Sequence, residues 1–392
     1  MSDRPLVIDD DRYSRLRLIA WWDQEKLAQA RVLVVGAGAL GNEVLKNLAL
    51  MGLGHIYIVD FDQIEESNLT RSVLFRRNDC GRSKAEAAAS ALKDLNPDLE
   101  ILALNADILT DLGLGMVAEM DVVMGCLDNR EARLWLNRMC WKTGTPWIDG
   151  GIQEINGVVK AFVPPESACY ECAMTETDYR LINLRYSCPL LRQEDIQSGK
   201  VPTAPTISSI IAGMQTQEAL KLIHDMPVEA GKIMVFNGVT NQFYKTEIQR
   251  KDDCLSHETY TQIAGADLGA REHRVSDLLN WAQDFYEVGE WSLVLDRDLV
   301  TAMSCHGCGR QVEILKPLSR VGHHQAICEG CGQVMKVERA HRIDAGSRLV
   351  NCRLIEVGVP LFDIVRLRRE GEERFVRLDR DRSESLSGVS AT

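Results

Sequence analysis

Arg31-Val-Leu-Val-Val-Gly36-Ala-Gly38-Ala-Leu-Gly41 runs on through an apolar stretch, Asn42 to Met51, and then His55-Ile-Tyr-Ile-Val59-Asp60. A short β-branched run, a GxGxxG turn, a helical stretch, a second β-branched run and an acid follow one another in one unit. This is the pattern of a nucleotide-binding βαβ unit. Gly36, Gly38 and Gly41 permit a tight turn and close phosphate approach, the helix start supplies backbone donors, and Asp60 suits a ribose hydroxyl. The motif by itself favours a dinucleotide, so a dehydrogenase is one reading.

Outward from this unit the alternation continues. Gly81–Leu95 reads as a helix, Glu100–Leu104 as a strand, Asp121–Gly125 as a strand, Arg130–Lys142 as a helix and Pro146–Asp149 as a short strand. The expected fold class is α/β, a Rossmann-like, doubly wound and mostly parallel sheet. Strand character returns at Gly157–Val163. Residues 173–204 lack a period and read as a long excursion. Thr206–His224 reads as a helix, and Lys232–Val235 with Phe243–Ile248 as a hairpin. Beyond His257 the pattern changes, with one expected helix at Val275–Phe285. The stretch Arg366–Arg382, seven arginines among five acids, reads as a solvated charged face, and the final SESLSGVSAT as disordered.

The chain has 392 residues and a formal net charge of −12. That balance argues against a general nucleic-acid binder, although one local basic pocket stays compatible with it. No apolar run is long enough for a membrane span. The start, MSDRPLVIDDDRYSR, lacks the pattern of an export signal, so a cytoplasmic location is expected.

The polar clusters gather at strand ends: Asp60-Phe61-Asp62, Ser67-Asn68-Leu69-Thr70-Arg71-Ser72, Ser83-Lys84 and Asp128-Asn129. Hydride transfer gives no reason for this set, whereas a triphosphate does. Arg71 and Lys84 suit phosphate oxygens, and Asp128 suits Mg²⁺. Among the 12 cysteines, Cys305-x2-Cys308 and Cys328-x2-Cys331 have the spacing of a zinc ribbon. Cys169-x2-Cys172 and Cys254-x2-His257 form two further, distant knuckles.

With Arg12-Tyr13-Ser14-Arg15 ahead of the fingerprint, and Asn68-Leu69-Thr70-Arg71, Lys84 and Asp128-Asn129 after it, residues 10–258 resemble the ubiquitin-activating-enzyme superfamily. The similarity is to its single-domain thiamine- and molybdopterin-pathway adenylyltransferases and to the activating enzymes of bacterial ubiquitin-like conjugation systems, some linked to antiphage defence. Two positions depart from the usual pattern: Ser72 stands where Gln is common, and Ala39 where Gly is. The resemblance implies that ATP with Mg²⁺ activates the C-terminal carboxylate of a ubiquitin-like or sulfur-carrier protein. It places Asp60 at the ribose, Asn68, Arg71 and Lys84 at the phosphates and Asp128 at the metal, with Asp62 and Asn129 in the same site. It also implies a homodimer in which the arm 1–30 carries Arg15 into the partner's ATP site, and a structural zinc held by Cys169, Cys172, Cys254 and His257.

Setting the metal cysteines aside leaves Cys80, Cys126, Cys140, Cys188 and Cys352. Cys126, Cys140 and Cys352 read as packing residues. Cys188 lies in the excursion, where thioester-forming relatives carry their nucleophile. The expected organisation is an arm (1–30), an adenylation domain (31–258) and a C-terminal region (259–392) whose ribbon, 301–335, recruits a carrier or conjugating partner. The alternatives are a sulfur-carrier adenylyltransferase that forms no thioester, and a non-catalytic scaffold.

Overall fold

A computed structural model describes residues 11–187, 202–286 and 289–387. The described residues open with a largely exposed segment, 11–23, and a short helix, α1 (Gln24–Gln29), whose first-turn amides are capped by Asp23. Next come β1 (Arg31–Val35), α2 (Ala39–Met51), β2 (His55–Val59), α3 (Lys84–Leu95), β3 (Glu100–Leu104), α4 (Leu114–Ala118), β4 (Val122–Gly125), α5 (Arg130–Thr143), β5 (Trp147–Gln153), β6 (Asn156–Phe162), α6 (Glu176–Ser187), α7 (Pro205–Ile223), β7 (Lys232–Asn237) and β8 (Gln242–Glu247).

These strands form one eight-stranded sheet in the order β3-β2-β1-β4-β5-β6-β7-β8. It is parallel from β3 to β5 and antiparallel from β5 to β8. In β1, Val32 and Val34 face one core with α2, α3 and α7. Leu33 and Val35 face the other, with α4 and α5. Both faces of β1 are therefore buried, which explains its unbroken apolar sequence.

Several expected boundaries shift for local reasons. The helix expected from Gly81 starts at Lys84, because Gly81 has φ +87° and Ser83 caps the first turn. The strand expected at Pro146–Asp149 continues to Gln153, since Gly150–Gln153 pair antiparallel with β6.

The chain then builds a second sheet from β9 (Ala264–Ala266), β10 (Ser292–Ser304), β11 (Gln311–Pro317), β12 (Lys336–Asp344), β13 (Ile364–Arg369) and β14 (Glu372–Leu378), with α8 (Val275–Phe285) against it and α9 (Arg382–Ser387) at the end. The order is β11-β10-β13-β14-β9, with β12 also on β10. Two expectations are corrected here. The arginine-rich stretch is a hairpin: Val365, Leu367, Val376 and Leu378 are buried, while Arg368 on the other face pairs with Glu373. The tail expected to be disordered begins as α9, with Ser385 buried.

The two sheets are fastened together. Gly115 N–H donates to the Phe362 carbonyl (2.9 Å) and Leu114 N–H to Asp363 Oδ1 (2.7 Å). A Cβ on Gly115 would lie 2.3 Å from that Phe362 oxygen, so the contact requires glycine. Arg297, from an irregular stretch of β10, lies over the Trp135 ring of α5 at 4.4 Å. Among the described residues no helix is long and apolar enough to cross a membrane.

Candidate active site and zinc knuckles

At the C-terminal ends of β1, β2 and β4 the glycine turn is locked from beneath. Gly36 adopts φ +96°, and a Cβ there would meet the Cys126 carbonyl at 2.4 Å. A Cβ on Gly41 would lie 1.9 Å from the Gly36 carbonyl. Gly38 has nothing within 4 Å of the corresponding position, so the start of α2 opens outward. Gly38 is the N-cap and supplies no capping side chain, which leaves the first backbone amides of α2 for an anion.

Asp60 ends β2 and organises this edge. Its Oδ2 accepts from Ala37 N–H (2.7 Å) and its Oδ1 from Asp62 N–H (2.8 Å). Burial pushes its carboxyl above the usual range, and the nearby Lys84 charge partly offsets the shift. Lys84, first residue of α3, pairs with Asp62 (2.6 Å). Arg71 donates to the Ser67 carbonyl (2.9 Å), and Asn68 Oδ1 accepts from Glu65 N–H (3.0 Å). Beyond β4, Asp128 is exposed, and the Asn129 amide nitrogen donates to it at 3.3 Å. The Asn129 side-chain oxygen is already engaged, capping α5 through Ala132 N–H (2.8 Å). The exposed Asp128 carboxylate fits a divalent cation, which would draw charge from phosphate oxygens.

Three contributions were not legible in the sequence. Asn42, fully buried, donates to the Ala37 and Gly38 carbonyls and accepts from Leu74 N–H, tying the glycine turn to the segment after Arg71. Gln215 on α7 donates to the Gly125 and Ile148 carbonyls, both at 3.1 Å. Asp149, on β5, is fully buried between Arg133 and Lys160. An Asn inside an apolar helix was the only cue to any of them.

The arm lies at the opposite edge. Asn96 donates to Tyr13 Oη (2.8 Å) and Arg12 to the Leu95 carbonyl (2.9 Å), both at the C-terminal end of α3, whereas Lys84 begins it. Twelve helical residues span about 18 Å. Exposed Arg15 is thus placed far from the Lys84 of its own chain. Cys188 lies outside the described residues. Cys140 is buried in the core and Cys126 and Cys352 pack against apolar clusters, whereas Cys80 is exposed.

Both cysteine sets converge. In the first, Cys169 Sγ lies 3.6 Å from Cys172 Sγ and 3.5 Å from Cys254 Sγ, and Cys172 Sγ lies 3.4 Å from His257 Nε2. A tetrahedral zinc with ~2.3 Å Zn–S bonds needs edges of about 3.7 Å, so four ligands fit and no open position is left for chemistry. Burial, then the Arg250 charge, lowers the His257 pKa and keeps the ring neutral for ligation. The ring stacks on Trp141. Glu171, between the two cysteines, accepts from Arg138 (2.7 Å) and Tyr179 Oη (2.8 Å), which joins the knuckle to α5 and α6.

In the second set, Cys305–Cys331 and Cys308–Cys328 sulfurs are 3.4 and 3.5 Å apart. Each knuckle closes in the same way, with Gly309 and Gly332 at φ +70° and +72° donating back to Cys305 and Cys328 carbonyls. The Cys308 N–H aimed at Cys305, with further donors behind it, pulls that thiol down to about 6, as suits a thiolate ligand.

Comparison with known proteins agrees with this geometry. The ThiF family model matches residues 11–256. The Escherichia coli sulfur carrier protein ThiS adenylyltransferase is 30% identical, over 65% of this chain and 96% of that protein. Ubiquitin-like modifier-activating enzyme 5 of Dictyostelium discoideum is 29% identical, over 63% of this chain and 68% of that one. A crystal structure of E. coli MccB with ATP superposes with a TM-score of 0.55 at 27% identity, covering 64% of this chain and 75% of that chain. The chain belongs to the ThiF family of ATP-using adenylyltransferases.

Proposed function

We propose that the protein activates the C-terminal carboxylate of a ubiquitin-like protein and passes the acyl group through a thioester on Cys188 to a conjugating enzyme. The carboxylate oxygen attacks the α-phosphorus of ATP, and the bond to the bridging oxygen breaks. Pyrophosphate leaves with the electron pair, and an acyl-adenylate remains. The Cys188 thiolate then displaces AMP. The supporting observation is the strand-end set: Asp60 at β2 with Lys84 near it, Arg71 on the segment that follows β2, exposed Asp128 beyond β4, and the uncapped turn at Gly38. Positioning and charge stabilisation are what such a set supplies. Arg15 would complete the site from the second copy of a homodimer, and the zinc ribbon would dock the conjugating enzyme.

Carrier-dependent ATP–pyrophosphate exchange tests the first step, and a gel without reductant for wild type and Cys188→Ala tests the second. Exchange with a thiol-sensitive adduct that Cys188→Ala loses is the expected result. Exchange with no adduct would support a second reading, a sulfur-carrier adenylyltransferase. The near full-length match to the ThiS enzyme favours that alternative. No exchange with any carrier would leave a binding scaffold.

A further inference from the structure

We propose that Asp149 is a positioning residue for the adenylation step: it holds Arg133 so that the Asp128 loop and the Gly150 segment of β5 stay in register where the carboxylate arrives. The inference rests on the adenylation reading above and assigns a role to a buried group which that reading leaves unused.

A fully buried carboxylate needs partners, and Asp149 has two cations: Arg133 Nε at 2.8 Å and Lys160 Nζ at 2.9 Å. Burial alone would raise its carboxyl, and the Arg133 and Lys160 charges more than reverse this, so Asp149 stays ionised. Buried ion clusters of this kind add little stability over apolar packing. Their value here is geometric. With Nε committed to Asp149, the second arm of the Arg133 fork donates to the carbonyls of Leu127 and Gly150. Leu127 immediately precedes Asp128, and Gly150 immediately follows Asp149.

Arg133 sits one turn into α5, and helical side chains lean toward the N-terminus, which is why it reaches back over this junction. The junction is therefore held from both sides, by the Asn129 cap and by Arg133. Lys160, opposite Asp149 in the β5–β6 pairing and 5.2 Å from the Tyr170 ring, holds the second carboxylate oxygen. Ribose belongs to the end of β2, phosphates to β1 and the metal to β4. The attacking carboxylate then has the β5 side left to approach from, along Gly150–Gly151. A Cβ on Gly150 would strike the Gln215 side chain at 2.3 Å, so this part of β5 is also closed from one side.

The test uses full-length Asp149→Asn and Arg133→Lys. Arg133→Lys keeps the charge but loses the fork that spans two carbonyls. Carrier-dependent exchange is measured as kcat and as KM for ATP, together with amide hydrogen exchange. Both variants are expected to lose at least tenfold in kcat with the ATP KM changed less than threefold. Faster amide exchange should be confined to residues 127–132 and 149–152. Retention of kcat within threefold, or protection lost evenly across β1–β5, would overturn the proposal. If wild type supports no exchange with any carrier, the adenylation reading itself fails. The hydrogen-exchange pattern then still decides whether Asp149 holds these two segments.

Discussion

Lys84 Nζ lies 2.6 Å from Asp62 Oδ2, with only 12% of the lysine side chain exposed. A carboxylate thus pairs with the cation that the proposed adenylation site assigns to the phosphates, and Lys84 also lies near Asp60. Lys84→Ala is expected to lower carrier-dependent exchange by at least 100-fold, about 3 kcal/mol of transition-state stabilisation. Asp62→Asn should cost far less, because it frees the lysine without removing it. Equal losses in the two variants would assign the pair a folding role.

The three glycines of the turn should separate stability from binding. Gly41→Ala places a Cβ against the Gly36 carbonyl and should lower Tm by several degrees. Gly38→Ala meets open space and should keep Tm within about 2 °C, yet weaken ATP binding more than tenfold by blocking phosphate approach. Calorimetry with and without ATP reads both effects.

Metal analysis should find two zinc ions per chain. Cys308→Ser should lose one and leave exchange within about threefold, since the ribbon belongs to the second sheet whereas Asp60 and Lys84 belong to the first. Cys169→Ser should lose the other. It should also lower exchange, because Glu171, beside that knuckle, holds Arg138 of α5 and Tyr179 of α6. A single zinc in wild type would contradict the ligand assignment.

Asp363 at the joint between the sheets predicts a pH signature. Burial raises its carboxyl to about 6, with the Arg297 charge opposing the shift. Its folded pKa lies above the unfolded value near 3.9. The folded state therefore binds the proton more tightly, and this contribution is full below pH ~4 and lost as pH rises through about 6. Asp363→Asn should remove that loss: wild type minus variant in Tm should be more positive at pH 5 than at pH 7.5. An unchanged difference would mean the carboxyl titrates normally.

Arg12 and Tyr13 meet the end of α3 opposite Lys84, which, with Arg15 two residues further on, predicts complementation between copies. Arg15→Ala and Lys84→Ala should each be inactive alone. Mixed and re-equilibrated, they should recover about a quarter of wild-type exchange, because half the dimers are mixed and each has one intact site. No recovery, with dimers present by sedimentation, would remove Arg15 from the partner's site.

How much of this was legible in sequence depends on distance along the chain. Val32–Val35 announce a strand buried on both faces, and Gly36, Gly38 and Gly41 announce the turn, because each is decided by neighbours within a few residues. The second sheet was missed for a local reason as well. Arg366 and Arg368 alternate with buried Val365 and Leu367, and the density of charge hid a period of two.

What the sequence by itself determined is the α/β class, the polar segments at the strand ends from Asp60 to Asp128 and the spacing of the Cys305–Cys331 ribbon, since fixed spacing and periodic burial are properties of short segments. Only the tertiary structure decided that Asp149 sits between Arg133 and Lys160, that Arg297 lies over Trp135, and that Arg12 and Tyr13 meet the end of α3 opposite Lys84. Each depends on two elements meeting in space. A buried charge must take whatever partner the packing brings within reach, and no local pattern encodes which one that is.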